Sequence, residues 1–170
     1  MRLYAGKIPV IAQDIISELS RGQDVELGDE QEAKLDIEAV LKEQLRMEKE
    51  VSDEAKSRME ARGLSYSELG RVRSQVAKER MAKTGEDVLP HLIEQMLHML
   101  FHSKHVEEVF AEDATLRKKL TTILRRHMDV ESELDQQVRA KIKNLEEGTS
   151  TFDVEYARAM EQLKRRRGLS

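Results

Sequence analysis

The 170-residue sequence predicts an all-α protein, and three observations lead there. Breakers are few, with eight glycines and two prolines, which leaves room for long uninterrupted helices. Charged residues make up 36% of the chain and aromatic residues 4%, a mixture that suits elongated helices with much surface and little core. A β-rich fold would want more β-branched and aromatic residues, and a disordered chain would lack periodic apolar positions. The third observation is an echo. "KIPVIAQDIISEL" at 7–19 and "VLPHLIEQMLHML" at 88–100 each set an aliphatic residue and a proline ahead of apolar residues at helical spacing. The expected architecture is a tandem repeat of two three-helix units, 1–85 and 86–170, packed as one structural unit. It takes the form of a forked, Y-like pair of antiparallel helical hairpins on a shared helical base.

The echo extends past the two openings. Ile8, Pro9, Ile11, Ile15, Ile16 and Leu19 fall on Leu89, Pro90, Leu92, Met96, Leu97 and Leu100, and Val25-Glu26 falls on Val106-Glu107. After a two-residue insertion Val40-Leu41 meets Ile123-Leu124, Leu45 meets Met128, and Met47 meets Val130. Val51, Ala55 and Met59 then meet Leu134, Val138 and Ile142. Proline is tolerated in a first helical turn, where its missing N–H has no partner anyway, so helices are expected near 8–20 and 88–103. Long amphipathic helices follow over about 29–62 and 112–147, each roughly 50 Å long at 1.5 Å per residue. Their apolar stripes narrow beyond Met47 and Val130 to about one residue per turn, enough to satisfy one partner helix. That partner is the segment after the turn, 66–82 (Leu69, Val72, Val76) or 152–167 (Tyr156, Met160, Leu163). Gly63 and Gly148 are expected as helix stops, and Ser65 with Glu68 as a capping box.

The start "MRLYAGKIPVIA", an extended opening with an Ile-Pro helix start and an acidic stretch after it, resembles the bacterial domain-of-unknown-function family numbered 507 along the whole chain. That resemblance implies a bacterial, soluble, all-helical protein and brings no catalytic residues with it. The residues themselves say little against it. With no cysteine, disulfides, thiolate zinc sites and cysteine nucleophiles are excluded. The N-terminal stretch lacks a signal-peptide apolar region, and no run approaches the roughly 18–20 apolar residues that span a bilayer. A cytoplasmic location is expected, with no membrane contact. Net charge is −4, so no global pull towards nucleic acid exists.

Histidine supplies the sharpest chemical feature. His91, His98, His102 and His105 fall with Glu94 on one helical face, and His98 and His102 stand at the i,i+4 spacing that offers two imidazoles to one ion. As a metal site (His98, His102, His105, Glu94) it is weak, because nothing else in the sequence supplies a further ligand. A polar face turned to solvent or a partner is the plainer reading, and a contact sensitive to pH near 6 lies between the two. Gln44 and His127 hold matched places in the two apolar stripes. They are expected to face each other or to sit equivalently, fixing register.

Charge is uneven. Residues 24–54 hold twelve acids against four bases, while 115–126 hold Arg117, Lys118, Lys119, Arg125 and Arg126 and no acid. Mutual pairing of the two long helices, or plainly solvated faces, is the simple expectation, each exposed pair being worth about 0–1 kcal/mol. The final helix of each half is basic. Arg71, Arg73, Lys78 and Arg80 in the first and Lys164, Arg165, Arg166 and Arg167 in the second suit the helix dipole, or else contact phosphate or a partner.

Enzyme signatures are missing: no Gly-rich phosphate loop, no G-x-S-x-G elbow and no paired Glu-x-x-His set. The expectation is a non-enzymatic helical adaptor or scaffold that binds another protein, still unidentified, through its hairpins, with no cofactor. The alternative is an RNA- or ribosome-associated factor using the basic helices, though aromatic residues for stacking bases are scarce. The oligomeric state stays open.

Overall fold

A computed structural model describes residues 1–169. The order is α1 (Ile8–Arg21), β1 (Val25–Leu27), α2 (Glu30–Arg62), α3 (Leu69–Glu79), α4 (Val88–His102), β2 (Val106–Val109), α5 (Asp113–Met128), α6 (Glu131–Lys141) and α7 (Ser150–Arg166). The chain is mostly helical, and no described helix is long and apolar enough to cross a membrane. Pro9 and Pro90 sit in the first turns of α1 and α4. Asp29 caps α2 by accepting the Glu32 N–H at 3.0 Å, and Glu30 and Glu32 add acidic charge to the same turn.

One core joins α1, α4, α5 and the first half of α2. α2 and α5 each pack on both α1 and α4, so the four alternate around a common interior. Ile11, Leu19, Ile37, Leu41, Leu92, Leu116, Leu120 and Leu124 lie there with no exposed surface, each worth about 1.5–3 kcal/mol of burial. Two smaller clusters lie outside it. Val51, Ala55 and Met59 of α2 pack on Val72, Val76 and Ala77 of α3. Leu134 and Val138 of α6 pack on Leu163 of α7 together with Tyr4 and Leu169.

Several expectations need correction. The all-α reading omitted a small antiparallel ribbon in which β1 pairs with β2, Val25 opposite Val109 and Glu26 opposite Glu108. The two segments aligned with each other in the echo are thus paired strands, too short for periodicity to reveal. The expected helix over 112–147 is two helices. It breaks after Met128, where Asp129 leaves helical geometry (φ −91, ψ 42), and the Arg2 N–H takes the freed Met128 carbonyl at 3.0 Å. The N-terminal ammonium lies 3.5 Å from Glu131 on the far side of the break. A long-range contact of this kind leaves no local signal. The capping box does not form: the Ser65 hydroxyl meets Ser67 at 2.6 Å instead. Gly148 stops no helix, because α6 has already ended at Lys141.

Gly63 does end α2, at φ +61, with the Leu64 N–H reaching back to the Met59 carbonyl. This is a Schellman closure, and α7 ends the same way through Gly168 and Leu169. At the end of α3 the same closure places Met81 at φ +53, a left-handed conformation costing a side-chain-bearing residue about 1–2 kcal/mol. Met81 is 75% exposed and loses little packing if removed. Met81→Gly is therefore expected to stabilise the protein by about 1 kcal/mol, raising Tm by roughly 2–4 °C in thermal unfolding.

Both ends of the described chain share one seam. Tyr4 and Leu169 are buried together, and Gly6 lies so close that a Cβ there would stand 1.8 Å from the Gly168 carbonyl oxygen. Backbone atoms on both sides leave nothing flexible to give way. Gly6→Ala is expected to lower Tm and to raise amide exchange at Leu169 and along α7, with α1 and α4 much less affected; equal exchange across the chain would contradict the seam.

Candidate functional site

The middle turns of α2 put Lys49, Ser52, Asp53 and Lys56 on one face, at i, i+3, i+4 and i+7. That face neighbours the Val51–Ala55–Met59 stripe committed to α3. Across from it runs the N-terminal segment, fixed by the Arg2 bond to Met128. Between them is a cleft of about 570 Å³, floored by Leu3, Leu45, Val88 and Met128 and flanked by Arg73 of α3. The volume lies within the roughly 300–1,000 Å³ usual for ligand sites. Glu48, in its wall, accepts the Gln44 amide at 2.8 Å, and Glu131 takes the N-terminal ammonium. Arg2, Lys49, Lys56 and Arg73 lie outside every ion pair among the described residues, although Arg2 also stands over the Tyr4 ring at 5.5 Å. Of these four only Arg73 stood out in the sequence. Lys49 and Lys56 carry no sequence signal that separates them from other helix-surface lysines, and Arg2 reaches the cleft because the N-terminal segment is tied to the α5–α6 break.

A second groove, about 650 Å³, runs between α1 and α5. Arg117, Lys119 and Arg126 find their acids here and along α4, and none of the 115–126 cations pairs with α2, because α2 and α5 lie diagonally across the core. Lys119 meets the buried Asp24 at 2.5 Å and Glu18 at 3.8 Å. Arg117 bonds Glu94 at 2.6 Å. Arg126 reaches Asp14 at 2.9 Å, and His127 Nε2 lies 2.6 Å from the same carboxylate.

His127 and Gln44 therefore do not face each other. Gln44 is buried, and besides Glu48 its amide donates to the Lys83 carbonyl at 3.1 Å, tying the α3–α4 connection to α2. The histidines are scattered. His98 and His102 stack with ring centroids 4.1 Å apart, and His102 Nδ1 is 2.7 Å from the His98 carbonyl. His105 lies beyond the end of α4, 3.9 Å from Glu32, His91 lines a groove with Val40 and Met47, and Glu94 is engaged by Arg117. Among the described residues no three His, Asp or Glu side chains gather as a metal site would need. Of the basic residues, Arg71 pairs with Glu68, Arg80 with Glu50 and Glu54, Arg165 with Glu161 and Arg167 with Glu133. Lys164 lies over the Tyr4 ring at 5.6 Å, where burial and the neighbouring Arg2 charge hold its ammonium below the usual lysine range. Arg73, Lys78 and Arg166 are exposed.

Partial burial works against ionisation of Asp14, but the hydrogen bond and charge of His127, with Arg126, outweigh it and hold the carboxyl below the usual range. A depressed carboxylate contributes stability above its unfolded pKa of about 3.9, and that contribution is lost as pH falls through the folded value. Asp14→Asn is thus expected to lower Tm at pH 7, with the gap to the parent protein closing as pH drops below about 4. A gap constant from pH 7 to pH 3 would show that the α1–α5 clamp is not electrostatic.

No curated protein matches the sequence. The family model described as "Protein of unknown function (DUF507)" matches residues 1–169, and the chain belongs to that family.

Proposed function

We propose that this protein works by contact and not by catalysis. It acts in the cytoplasm as an adaptor or scaffold that holds another protein against the flanks and tips of two helical hairpins, α2–α3 and α6–α7. In this reading an internal duplication set the hairpins as two arms on one four-helix base. The observation that carries the reading is the division of the apolar interior. Each hairpin keeps a small cluster of its own outside the main core, and the rest of its length is charged surface. Large apolar side chains stand out at its ends and flanks: Tyr66 before α3 is 82% exposed, and Val154 on α7 is 64% exposed. Long arms with narrow internal seams are costly to maintain unless their outer faces are used.

The rival reading is an RNA- or ribosome-associated factor working through the basic final helices. Arg73, Lys78 and Arg166 favour it, being exposed cations outside the protein's ion pairs. Against it, the other five residues of that set are occupied by internal partners, and a phosphate would have to displace them.

The two separate on capture of partners by the tagged full-length protein from native lysate, with half the sample treated with nuclease. The expected outcome is the same bound protein in both halves, with retention little changed between about 50 and 200 mM salt. A phosphate-driven complex would instead weaken by roughly 10³-fold or more over that range. Loss of the bound set on nuclease treatment would overturn the adaptor reading.

A further inference from the structure

Lys164, in the last turn of α7, is neither freely solvated nor matched with a carboxylate. Its side chain is half-buried, and its ammonium lies over the Tyr4 ring at 5.6 Å, beside the cluster of Leu134, Val138, Leu163 and Leu169. The Arg2 guanidinium lies 5.5 Å from the centre of the same ring, so one buried tyrosine is shared by two like charges. An aromatic face favours a nearby cation, but two cations on one ring also repel each other. The nearby carboxylates answer to other groups: Glu161 to Arg165, Glu133 to Arg167 and Glu131 to the N-terminal ammonium. The helix end gives little relief, because the last carbonyls of α7, from Leu163 to Arg165, already accept the Arg167, Leu169 and Gly168 N–H groups. Burial, and then the Arg2 charge, hold the Lys164 ammonium below the usual lysine range against a smaller pull from Glu131.

We propose that Lys164 is a modification site, acylated on Nζ by small acyl phosphates. The free amine is the nucleophile, and a lysine gains free amine where its charged form is poorly solvated or faces another cation. Such burial is missing at Lys56 and Lys104, which are exposed. In the step Nζ attacks the carbonyl carbon and a C–N bond forms. The C–O bond to phosphate breaks, phosphate leaves with that electron pair, and the amine proton passes to water. The product is a neutral amide. Arg2 sets the class of donor: a guanidinium pairs well with phosphate oxygens, and this one is exposed and flanks the same ring as the amine. An uncharged thioester gains nothing from it. Acylation also ends the repulsion between Lys164 and Arg2 at the seam where both ends of the described chain meet. The proposal stands apart from the adaptor reading, since it needs no partner protein.

The test incubates the folded full-length protein with acetyl phosphate and follows each lysine by mass spectrometry at early times. Lys164 is expected to be acetylated at least about threefold faster than Lys56 and Lys104, with its rate rising at a lower pH than theirs. In denaturing urea the three lysines are expected to react alike, because the advantage comes from the fold. Arg2→Gln, which keeps the backbone bond to Met128, is expected to remove much of the advantage, and Arg2→Lys to retain it. Exchanging acetyl phosphate for a neutral acetyl thioester is expected to lower the Lys164-to-Lys104 rate ratio about twofold or more, since the donor's charge no longer draws it to Arg2. A Lys164 rate equal to that of the exposed lysines would overturn the proposal. So would an advantage that survives in urea, or an Arg2→Gln variant that reacts as the parent does. An equal rate ratio with the two donors would overturn acyl phosphate as the donor.

Discussion

The arrangement depends on one constraint: α1 and α4 carry broad apolar faces that neither can bury alone. They meet this need by sharing the same two neighbours, α2 and α5, each of which packs on both. Once that four-membered circuit closes, α2 and α5 lie across a diagonal, and much else follows. Arg126, Lys119 and Arg117 of α5 find carboxylates at Asp14 of α1, at Asp24 just past it and at Glu94 of α4. Most of the acids on α2 are left to neighbours along their own helix, to α3 and to solvent. Only the first half of α2 takes part in the circuit; its second half projects past it and must take α3 as its companion.

Lys119 and Asp24 reinforce the circuit where α1 turns into the ribbon. Asp24 is buried, its carboxylate receives Lys119, and its carbonyl receives the Phe110 and Ala111 N–H groups. One residue thereby joins α1, the end of β2 and α5. Removing either member of such a pair leaves a charge in a poorly solvated place. The ribbon itself presents Glu26 opposite Glu108, an unfavourable juxtaposition of like charges. Its inward Val25 and Leu27 and these backbone bonds must offset that cost.

Much of the fold could be read from the residues because α1, α2 and α4 announce themselves locally. Pro9 and Pro90 mark starts, Gly63 marks a stop, and the apolar periodicity between them is regular. Where the reading failed, the deciding partner was distant in sequence. Met128 and Val130 continue a good helical stripe, yet the helix breaks between them, where Arg2 of the distant N-terminal segment bonds the Met128 carbonyl. Tetrapeptide-scale strands such as Val106–Val109 leave no room for a period to show. The candidate cleft was less legible than the fold for the same reason. Lys49, Ser52 and Lys56 carry no mark in one dimension that separates them from any solvated helix face. Gln44, chosen for its polarity within a stripe, does act at a seam, but its partner is the backbone of the α3–α4 connection and not the matched His127.

The meeting of Tyr4 with Leu169, and of Gly6 with Gly168, has a mechanical consequence. A stretching force applied through the two ends would not load the four-helix circuit along its length. It would first act across the small Tyr4–Leu134–Val138–Leu163–Leu169 cluster, parting it contact by contact as a zipper opens. Unzipping proceeds at much lower force than shearing many contacts at once. Tension would peel α7 from α6 and draw Arg2 away from Met128, dismantling one wall of the cleft while α1, α2, α4 and α5 stayed folded. Chain tension and cleft geometry are thereby linked through a few residues at the seam.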